Sequence, residues 1–272
     1  MQNSVYNETC MKIGIYYNSK QVDEGTACGL AAEIAKKGGE AVLFSCAEEI
    51  KGVDRLIVLG GDGTVLHAAK RTSQLDIPLV GVNFGNLGFL TEFERDEANN
   101  AVSLALEGKE ILVRSMLEVN LNGSVSHCLN ECSVLRPVSP EAMGGVVSLS
   151  VEIDGSGAGE YPADGLIVAT PTGSTAHSLS AGGSIMTPDC ATFLLTPVCA
   201  FSMRSRPVAY PDSSTLTIAL NDNKRVFLYG DGVFLGEAGK GDVITVKKSG
   251  RRALFLTRSR AGYFYRLTEK IN

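Results

Sequence analysis

A single carboxylate, Asp62, lies among glycines directly after an apolar run. The run Leu-Ile-Val-Leu occupies positions 56–59, and it is followed by Gly60, Gly61, Asp62, Gly63 and Thr64. Glycine lets a backbone come close to an anion, and the N–H groups at the start of a helix attract phosphate oxygens. A carboxylate beside phosphates is costly unless it accepts a proton from an attacking hydroxyl or holds Mg²⁺. The segment therefore indicates a phosphate-handling loop with its own acid/base.

The alternative for this loop is a plain strand-to-helix turn in which the Asp62 side chain caps the helix over Thr64. Two familiar nucleotide motifs do not fit, because the loop lacks the Gly-Lys-Ser/Thr ending of a P-loop and the glycine spacing of the dinucleotide fingerprint. A short apolar run is typical of a buried parallel strand, and ligands bind beyond the carboxyl ends of such strands. The glycines thus stand where a ligand is expected.

Two further segments carry polar side chains that strand patterning does not explain. Residues 164–183 hold two glycine-bearing turns around a strand and then a run of Ser and Thr that opens a predicted helix. Small hydroxyls beside glycines suit ribose and phosphate oxygens, although they also suit a helix cap. Asn130 and Glu131 interrupt a strand-like run, where a polar pair needs partners if it is buried. Exposure at a strand end is the alternative for that pair.

The composition is that of an ordinary globular chain. With 272 residues, 44% of them hydrophobic and 20% charged, the chain is long enough for two modest domains with real cores. The net charge of −5 and the pI near 5.4 argue against a general nucleic-acid or anionic-membrane binder. One basic cluster, at Lys247, Lys248, Arg251 and Arg252, is predicted to be a solvated hairpin, with a local phosphate patch as the alternative.

The seven cysteines form no recognisable framework, and no secretory apolar region opens the chain, which predicts reduced thiols in a cytoplasmic protein. Cys128 and Cys132 lie four apart and the three histidines complete no ligand set, so we expect no structural metal. No apolar stretch approaches the roughly 18 residues that a membrane helix needs.

The first third of the chain alternates strand and helix signals. Strands are predicted at 12–17, 41–44, 56–59 and 78–82, and helices at 23–37, 64–73 and 95–107. This order predicts an α/β domain with a parallel sheet over residues 1–108.

Residues 109–258 have a different texture, with short β-branched runs broken by Gly, Asn, Asp and Pro. The runs lie at 111–121, 125–136, 145–153, 215–220, 225–229, 242–247 and 253–257, and they predict a mostly antiparallel, β-rich second domain. Residues 259–272 regain aromatic and charged character, and we expect this tail to pack back on the first domain.

Together these segments resemble one family. The chain is similar to the NAD kinases, which phosphorylate the 2′-hydroxyl of the adenosine ribose of NAD to make NADP. The resemblance covers nearly the whole chain and is carried by residues 60–64, 81–90, 130–131, 164–183, 195–197 and 206–207. The Gly-Gly-Asp-Gly-Thr core alone is shared with diacylglycerol and sphingosine kinases, so the later segments make the assignment specific.

The resemblance implies a role for each matching residue. Asp62 would orient and deprotonate the ribose hydroxyl, and the phosphate path would be lined by Gly60, Gly61, Gly63 and Thr64. Phe89 would lie near the adenine, while Asn130 and Glu131 would hold the ribose or the nicotinamide side. Contacts to the adenine or carboxamide end would come, partly across a subunit interface, from Asp164, Thr175, Ala176, His177 and Ser180.

The resemblance also implies substrates and partners. NAD would be held between two domains and a neighbouring subunit of a homodimer or homotetramer, with Mg²⁺ or another divalent cation carried in by ATP. The donor is open between ATP, another nucleoside triphosphate and polyphosphate, as is the choice between NAD and NADH.

Several residues depart from the family pattern. His177 stands where a tyrosine is usual, Pro162 precedes the Asp-Gly pair where a basic or polar residue is common, and Ser184 replaces a frequent proline. The usual Pro-His is Ala200-Phe201, and Val233 replaces a polar residue. Since none of these changes removes Asp62, we expect catalysis to persist with altered affinity or substrate preference.

Two other functions compete with this reading. A lipid kinase could use the same glycine loop, although no apolar or basic membrane-contact stretch supports it. A non-catalytic dinucleotide-binding regulator would explain the departures, but a pure binder gains little from a carboxylate beside phosphates.

Overall fold

The computed structural model describes residues 10–85, 88–137, 145–258 and 262–271. The chain divides into two compact units. The first unit runs to Leu112 and resumes at Leu254, and the second runs from Val113 to Ala253. Each unit is described in turn.

The first unit alternates strands and helices, as predicted. Its elements in chain order are β1 Lys12–Tyr17, α1 Glu24–Lys36, β2 Glu40–Phe44, β3 Arg55–Gly60, α2 Asp62–Thr72, β4 Leu79–Asn83, β5 Phe93–Glu94 and α3 Ala98–Glu107, with short 3₁₀ turns at Ala47–Glu49 and Arg95–Glu97. The strands pair in the order β2-β1-β3-β4, and every pairing is parallel. Helix α1 begins where expected because the Asp23 carboxylate accepts the Thr26 N–H at 2.9 Å.

The core of this unit explains its apolar runs. Strands β3 and β4 are buried along almost their whole length, and Ile13, Ile57 and Val80 are fully buried beside Ala27 and Ala101 of the covering helices. A parallel sheet covered on its faces needs such continuous apolar strands, whose carboxyl ends then meet at one edge. That edge carries Gly60 and Asp62.

The second unit is β-rich and mostly antiparallel, again as predicted. Its elements are β6 Ile111–Leu121, β7 Ser124–Cys128, β8 Glu131–Leu135, β9 Val147–Ile153, β10 Ser156–Ala163, β11 Gly165–Ala169, α4 His177–Ser180, β12 Thr192–Val198, β13 Val208–Pro211, β14 Leu216–Leu220, β15 Val226–Gly230, β16 Val233–Ala238 and β17 Val243–Leu256. Strands β10-β9-β14-β17 form one antiparallel run, and β13-β12-β11-β8-β15-β16 form another sheet. Val151, Val168, Phe193 and Leu228, from both sets of strands, share one core.

Three expectations for this unit were wrong in detail. The predicted strand 125–136 is two strands, β7 and β8, because the chain leaves the ladder at Leu129 and Asn130. The predicted strands 242–247 and 253–257 are one long strand, β17. The expected hairpin at the basic cluster is absent, because all four basic residues lie within β17. There Lys247 pairs with Glu118 at 3.1 Å and Lys248 with Asp212 at 2.5 Å.

The C-terminal segment belongs to the first unit, which confirms the expected return of the tail. Residue Phe255 of β17 pairs in parallel with Leu79 of β4, and helix α5, Gly262–Ile271, follows. Arg266 of α5 forms an ion pair with the buried Glu92 at 3.0 Å. In the part of the chain that the structure describes, no helix has the length and apolar character needed to cross a membrane.

Candidate active site

Asp62 is the first residue of helix α2, immediately beyond the carboxyl end of β3. Its side chain does not cap that helix. Instead its Oδ2 accepts the Phe89 N–H at 2.7 Å, and its Oδ1 accepts the Leu90 N–H at 2.9 Å. The capping alternative is therefore wrong, and the carboxylate is held in place by two backbone amides from another loop.

Two glycines let this arrangement form. A Cβ on Gly88 would lie 1.9 Å from Asp62 Oδ1, so only glycine permits the 88–90 backbone to approach the carboxylate. A Cβ on Gly60 would lie 2.4 Å from Thr64 Oγ1, so Gly60 permits the tight passage from strand to helix. These glycines are required by packing around Asp62 and Thr64.

Gly61 and Gly63 have a different environment. A Cβ built on either would meet no described heavy atom within 4 Å, so open space borders both residues. The N–H groups of the first helical turn have no carbonyl four residues before them in the helix. The helix start is the positive end of the helix dipole, and Gly61 and Gly63 add no side-chain bulk to it. The turn is therefore suited to a phosphate group.

Thr64 and Phe89 complete the predicted residues of the first unit. Thr64 is buried, and its Oγ1 accepts an N–H from the Asn18 side chain at 3.4 Å. Asn18 was not among the residues predicted from the sequence. Phe89 contributes its N–H to Asp62, and its ring is half-buried. The loop that carries Phe89 therefore positions the carboxylate as well as a ring.

In the second unit, Asn130 and Glu131 lie where the chain passes from β7 to β8. Asp231, at the turn after β15, accepts three backbone N–H groups from this passage: Leu129 at 2.7 Å, Asn130 at 2.7 Å and Glu131 at 3.2 Å. Asp231 has a φ of +49°, a conformation that aspartate tolerates better than most residues. One carboxylate thus fixes the backbone of the polar pair.

The other side of the passage is held by the segment after β11. The Thr170 N–H donates to the Asn130 carbonyl at 2.9 Å, and its hydroxyl donates to the Leu129 carbonyl at 2.6 Å. A Cβ on Gly173 would lie 2.1 Å from the Asn130 carbonyl oxygen, so the 3₁₀ turn at Thr172–Thr175 packs directly on this residue. Asn130 is consequently anchored from two directions.

This anchoring buries polar atoms that lack a partner. Asn130 Oδ1 and Glu131 Oε2 are buried and accept no hydrogen bond from the described residues. Exposure at a strand end is therefore the wrong account of Glu131, which is only 3% exposed. Since leaving buried acceptors unsatisfied costs free energy, both oxygens are suited to donors on a ligand.

The other oxygen of Glu131 has a partner. Glu131 Oε1 lies 2.6 Å from Nδ1 of His177, the first residue of α4. Burial raises the pKa of the Glu131 carboxyl, the His177 hydrogen bond and charge oppose that rise, and the Asp231 charge adds to it. The imidazole thus favours the charged carboxylate in a setting that otherwise disfavours it.

A cavity of about 560 Å³ opens beside His177 within the second unit. Its lining is mainly apolar with a few polar groups, and it includes Ser133, Ile167, His177, Ser180, Cys199 and Tyr229. Its size and character are those of a small-molecule site. The structure therefore brings His177 and Ser180 together at one cavity, with Glu131 joined to it through His177.

The remaining predicted residues lie apart from that cavity lining. Asp164 pairs with Arg136 at 2.6 Å, which raises the pKa of the Arg136 guanidinium. Thr175 Oγ1 donates to the Thr172 carbonyl at 3.3 Å, and the Ala176 N–H donates to the Gly173 carbonyl at 2.9 Å. The expected helix after the hydroxyl run is only a 3₁₀ turn and the single-turn α4, because these hydroxyls bond to nearby carbonyls.

Sequence reasoning missed Asp231, Thr170 and Tyr229 as parts of this site. An Asp-Gly pair directly after a strand was the available signal for Asp231, but it is equally typical of an ordinary hairpin turn. Within the described residues, no group of three or more His, Cys, Asp or Glu side chains could hold a metal ion.

Both units match known proteins. Residues 3–111 match the model of the ATP-NAD kinase N-terminal domain, and residues 129–257 match that of the ATP-NAD kinase C-terminal domain. The NAD kinase of Aromatoleum aromaticum is 35% identical over 97% of this chain and 89% of its own length. The NAD kinase of Thermococcus gammatolerans is 41% identical over 75% of this chain and 73% of its own.

A solved structure agrees with these relatives. The yeast NADH kinase, determined in complex with NADH, superimposes with a TM-score of 0.84 at 26% identity, covering 96% of this chain and 87% of that one. The matches over both domains define the class, a nucleotide-dependent phosphotransferase. The chain belongs to the ATP-NAD kinase family, and it is an enzyme that phosphorylates NAD.

Proposed function

We propose that Asp62 is the general base that activates the 2′-hydroxyl of the adenosine ribose of NAD for attack on the γ-phosphate of ATP. One observation carries this assignment: a carboxylate held by the Phe89 and Leu90 amides begins a helix whose first turn borders open space at Gly61 and Gly63. The carboxylate and the anion-attracting amides share one turn of backbone. The base and the phosphate-binding turn can therefore act together in one phosphoryl transfer.

The two backbone hydrogen bonds set the geometry of the base. Each carboxylate oxygen accepts one N–H and keeps a further lone pair for the ribose hydroxyl. Because the amides belong to a loop fixed against α2 by Gly88, the carboxylate needs no reorientation when substrate arrives. Proton acceptance of this kind contributes roughly 10²- to 10⁴-fold to the rate.

The phosphate path is assigned to Gly60, Gly61, Gly63 and Thr64. Phosphoryl transfer asks a protein mainly for positioning and charge neutralisation. The first-turn amides of α2 supply partial positive charge, and the metal arrives with the nucleotide as MgATP. Polyphosphate remains the competing donor, and a side-by-side assay of the two donors distinguishes them.

The second unit supplies the binding groups for the dinucleotide. Asn130 Oδ1 and Glu131 Oε2 present two buried acceptors to hydroxyl or amide donors, and the cavity at His177 and Ser180 offers apolar walls. Phe89, Asp164, Thr175 and Ala176 are assigned supporting contacts by resemblance alone. Since NAD and NADH share the same adenosine ribose, the yeast relative solved with NADH supports testing both forms.

Assembly and location complete the proposal. We assign a homodimer or homotetramer, with a neighbouring subunit contributing to the dinucleotide site. All seven cysteines are free, which suits a reducing cytoplasm. Sedimentation in solution tests the oligomer directly.

The deciding experiment measures NADP formation from MgATP and NAD by the purified protein and by Asp62→Asn. We expect the variant to lose at least about two orders of magnitude in kcat while its NAD affinity, measured by calorimetry, changes little. A fully active Asn variant would remove Asp62 from the mechanism. NAD binding without turnover by the unmodified protein would favour a non-catalytic regulator, and phosphorylation of vesicle lipid would favour a lipid kinase.

A further inference from the structure

We propose that His177 is a positioning residue that holds Glu131 in its charged, accepting form and thereby makes the affinity for the dinucleotide depend on pH. This inference deepens the proposed function and rests on it, because it assumes that Glu131 Oε2 receives a donor from the substrate. It concerns a residue at which the chain departs from the tyrosine usual in the family. The experiments below separate its failure from the failure of the proposed function.

The geometry is that of a hydrogen-bonded pair with one exposed and one buried partner. His177 Nδ1 lies 2.6 Å from Glu131 Oε1, and the histidine side chain is 71% exposed whereas the glutamate side chain is 3% exposed. The imidazole therefore lies largely in solvent while the carboxylate is shielded from it. Any change at His177 acts directly on Glu131 through the hydrogen bond.

Glu131 has two oxygens with different tasks. Oε1 is occupied by His177, and Oε2 is buried with no partner among the described residues. An ionised carboxylate can only accept, so Oε2 accepts a hydroxyl or amide donor of the bound dinucleotide. Protonation of Glu131 would turn one oxygen into a donor and weaken that contact. Affinity should thus follow the ionisation of Glu131.

The ionisable groups around Glu131 come from several elements. Asp231 follows β15 and binds the Glu131 N–H, Cys132 follows Glu131 on β8, and His177 reaches it from α4. Tyr229 of β15 and Cys199, after β12, line the adjoining cavity. The Asp231 charge disfavours the ionised Glu131 carboxyl, and the hydrogen bond from His177 favours it.

The electrostatic effects follow from these positions. Burial and the Asp231 charge raise the pKa of Glu131, and the His177 hydrogen bond lowers it. A hydrogen bond to the charged form of a carboxyl favours that form and lowers its pKa. Removing the imidazole should therefore protonate Glu131 at a higher pH than in the unmodified protein.

The test is the pH dependence of KM for NAD and of kcat between about pH 5 and pH 9, for the unmodified protein, His177→Phe, His177→Gln and Glu131→Gln. We expect KM of the unmodified protein to rise as pH falls. In His177→Phe the midpoint of that rise should move to higher pH, with little change in kcat at saturating NAD. His177→Gln keeps an N–H donor, so its midpoint should lie between that of the unmodified protein and that of His177→Phe.

Two variants serve as references. Glu131→Gln should have a raised KM that no longer follows this titration, because the amide does not ionise. His67→Phe, which removes an exposed imidazole from helix α2, should reproduce the unmodified KM profile. Identical profiles for His177→Phe and the unmodified protein, or an unchanged pH dependence in Glu131→Gln, would overturn the proposal.

Calorimetry separates this proposal from the catalytic one. NAD binding is measured over the same pH range in Asp62→Asn, with and without His177→Phe. A shift of the Kd profile in the double variant supports the role of His177 even where turnover is lost. An unshifted Kd profile overturns it, whatever the activity of the unmodified protein.

Discussion

At the scale of single residues, the two units hold carboxylates with unequal environments. Asp62 has both oxygens bound by backbone N–H groups, and Asp231 accepts three such bonds. Glu131 instead has one buried oxygen without a partner among the described residues. Bound carboxylates stabilise the backbone around them, whereas a buried unsatisfied acceptor costs stability in the absence of ligand. The unpaired oxygen of Glu131 therefore favours binding of the dinucleotide but lowers the stability of the substrate-free protein.

This conflict predicts that Glu131→Gln makes the substrate-free protein more stable. The pKa of Glu131 is raised on folding, mainly by burial, so folding favours its protonated form. The penalty is absent below the unfolded-state pKa, develops as pH rises, and is complete above the folded-state pKa. We expect the variant to melt higher than the unmodified protein by about 2 °C or more at pH 8, with a smaller gap near pH 4.

Thermal melting at the two pH values, without nucleotide, checks the prediction. Glu160→Gln on strand β10 is the matched control, because it removes an exposed carboxylate and should change the melting temperature little. A Glu131→Gln variant that melts lower than the unmodified protein at pH 8 would show that the His177 contact outweighs the burial cost.

Sequence alone singles out Asp62 as a candidate, but it does not show what holds the carboxylate. A lone carboxylate among glycines after an apolar strand is a local pattern, so it is visible without a structure. Its partners, the Phe89 and Leu90 amides, lie 27 and 28 residues away and present no side-chain signal. The same applies to Asp231, which binds backbone about 100 residues before it. Long-range bonds to backbone leave no trace in residue type.

At the scale of elements, local signals predicted the first unit well and the second less well. Strand β1 has the predicted bounds and α1 differs by one residue at each end, because apolar periodicity and the Asp23 cap act locally. The run 125–136 was divided by Asp231 and Thr170, which bond to the Leu129–Glu131 backbone from distant positions. Tertiary hydrogen bonds, rather than propensity, set that boundary.

The approach of the 88–90 loop to helix α2 predicts a large effect of Gly88→Ala. The new methyl group would lie 1.9 Å from Asp62 Oδ1, so the loop must move and the two amide bonds to the carboxylate must lengthen or break. We expect kcat to fall at least about tenfold, since misplacing a catalytic group by an ångström has effects of up to about 10²-fold. Steady-state kinetics of NADP formation measures the loss.

Gly29→Ala is the matched control for this substitution. Gly29 is exposed within helix α1, and an added Cβ meets no described atom within 4 Å. Alanine there should leave kcat unchanged and stabilise the protein by about 0.5–1 kcal/mol, because glycine is unfavourable inside a helix. Full activity in Gly88→Ala would mean that Asp62 does not depend on the 88–90 amides.

At the scale of the whole chain, the first unit is completed by residues from its far end. The buried Glu92 accepts hydrogen bonds from the Arg258 N–H at 3.0 Å and from Arg266 at 3.0 Å. These partners lie 166 and 174 residues further along the chain, after the entire second unit. The sequence predicted that the tail returns, but it could not predict which buried acid receives it. Glu92 thus ties the two separated segments of the first unit together.

Glu92→Gln should therefore destabilise the protein strongly. The substitution leaves the Arg266 guanidinium, which is 14% exposed, without its carboxylate, and breaking a buried ion pair costs about 3–5 kcal/mol. Glu97→Gln removes the neighbouring partner of Arg258, but both of those side chains are more than 30% exposed, so we expect a loss below about 1 kcal/mol. Urea unfolding of the two variants measures both values. Similar losses in the two would show that the exposed pair, and not Glu92, secures the C-terminal segment to the first unit.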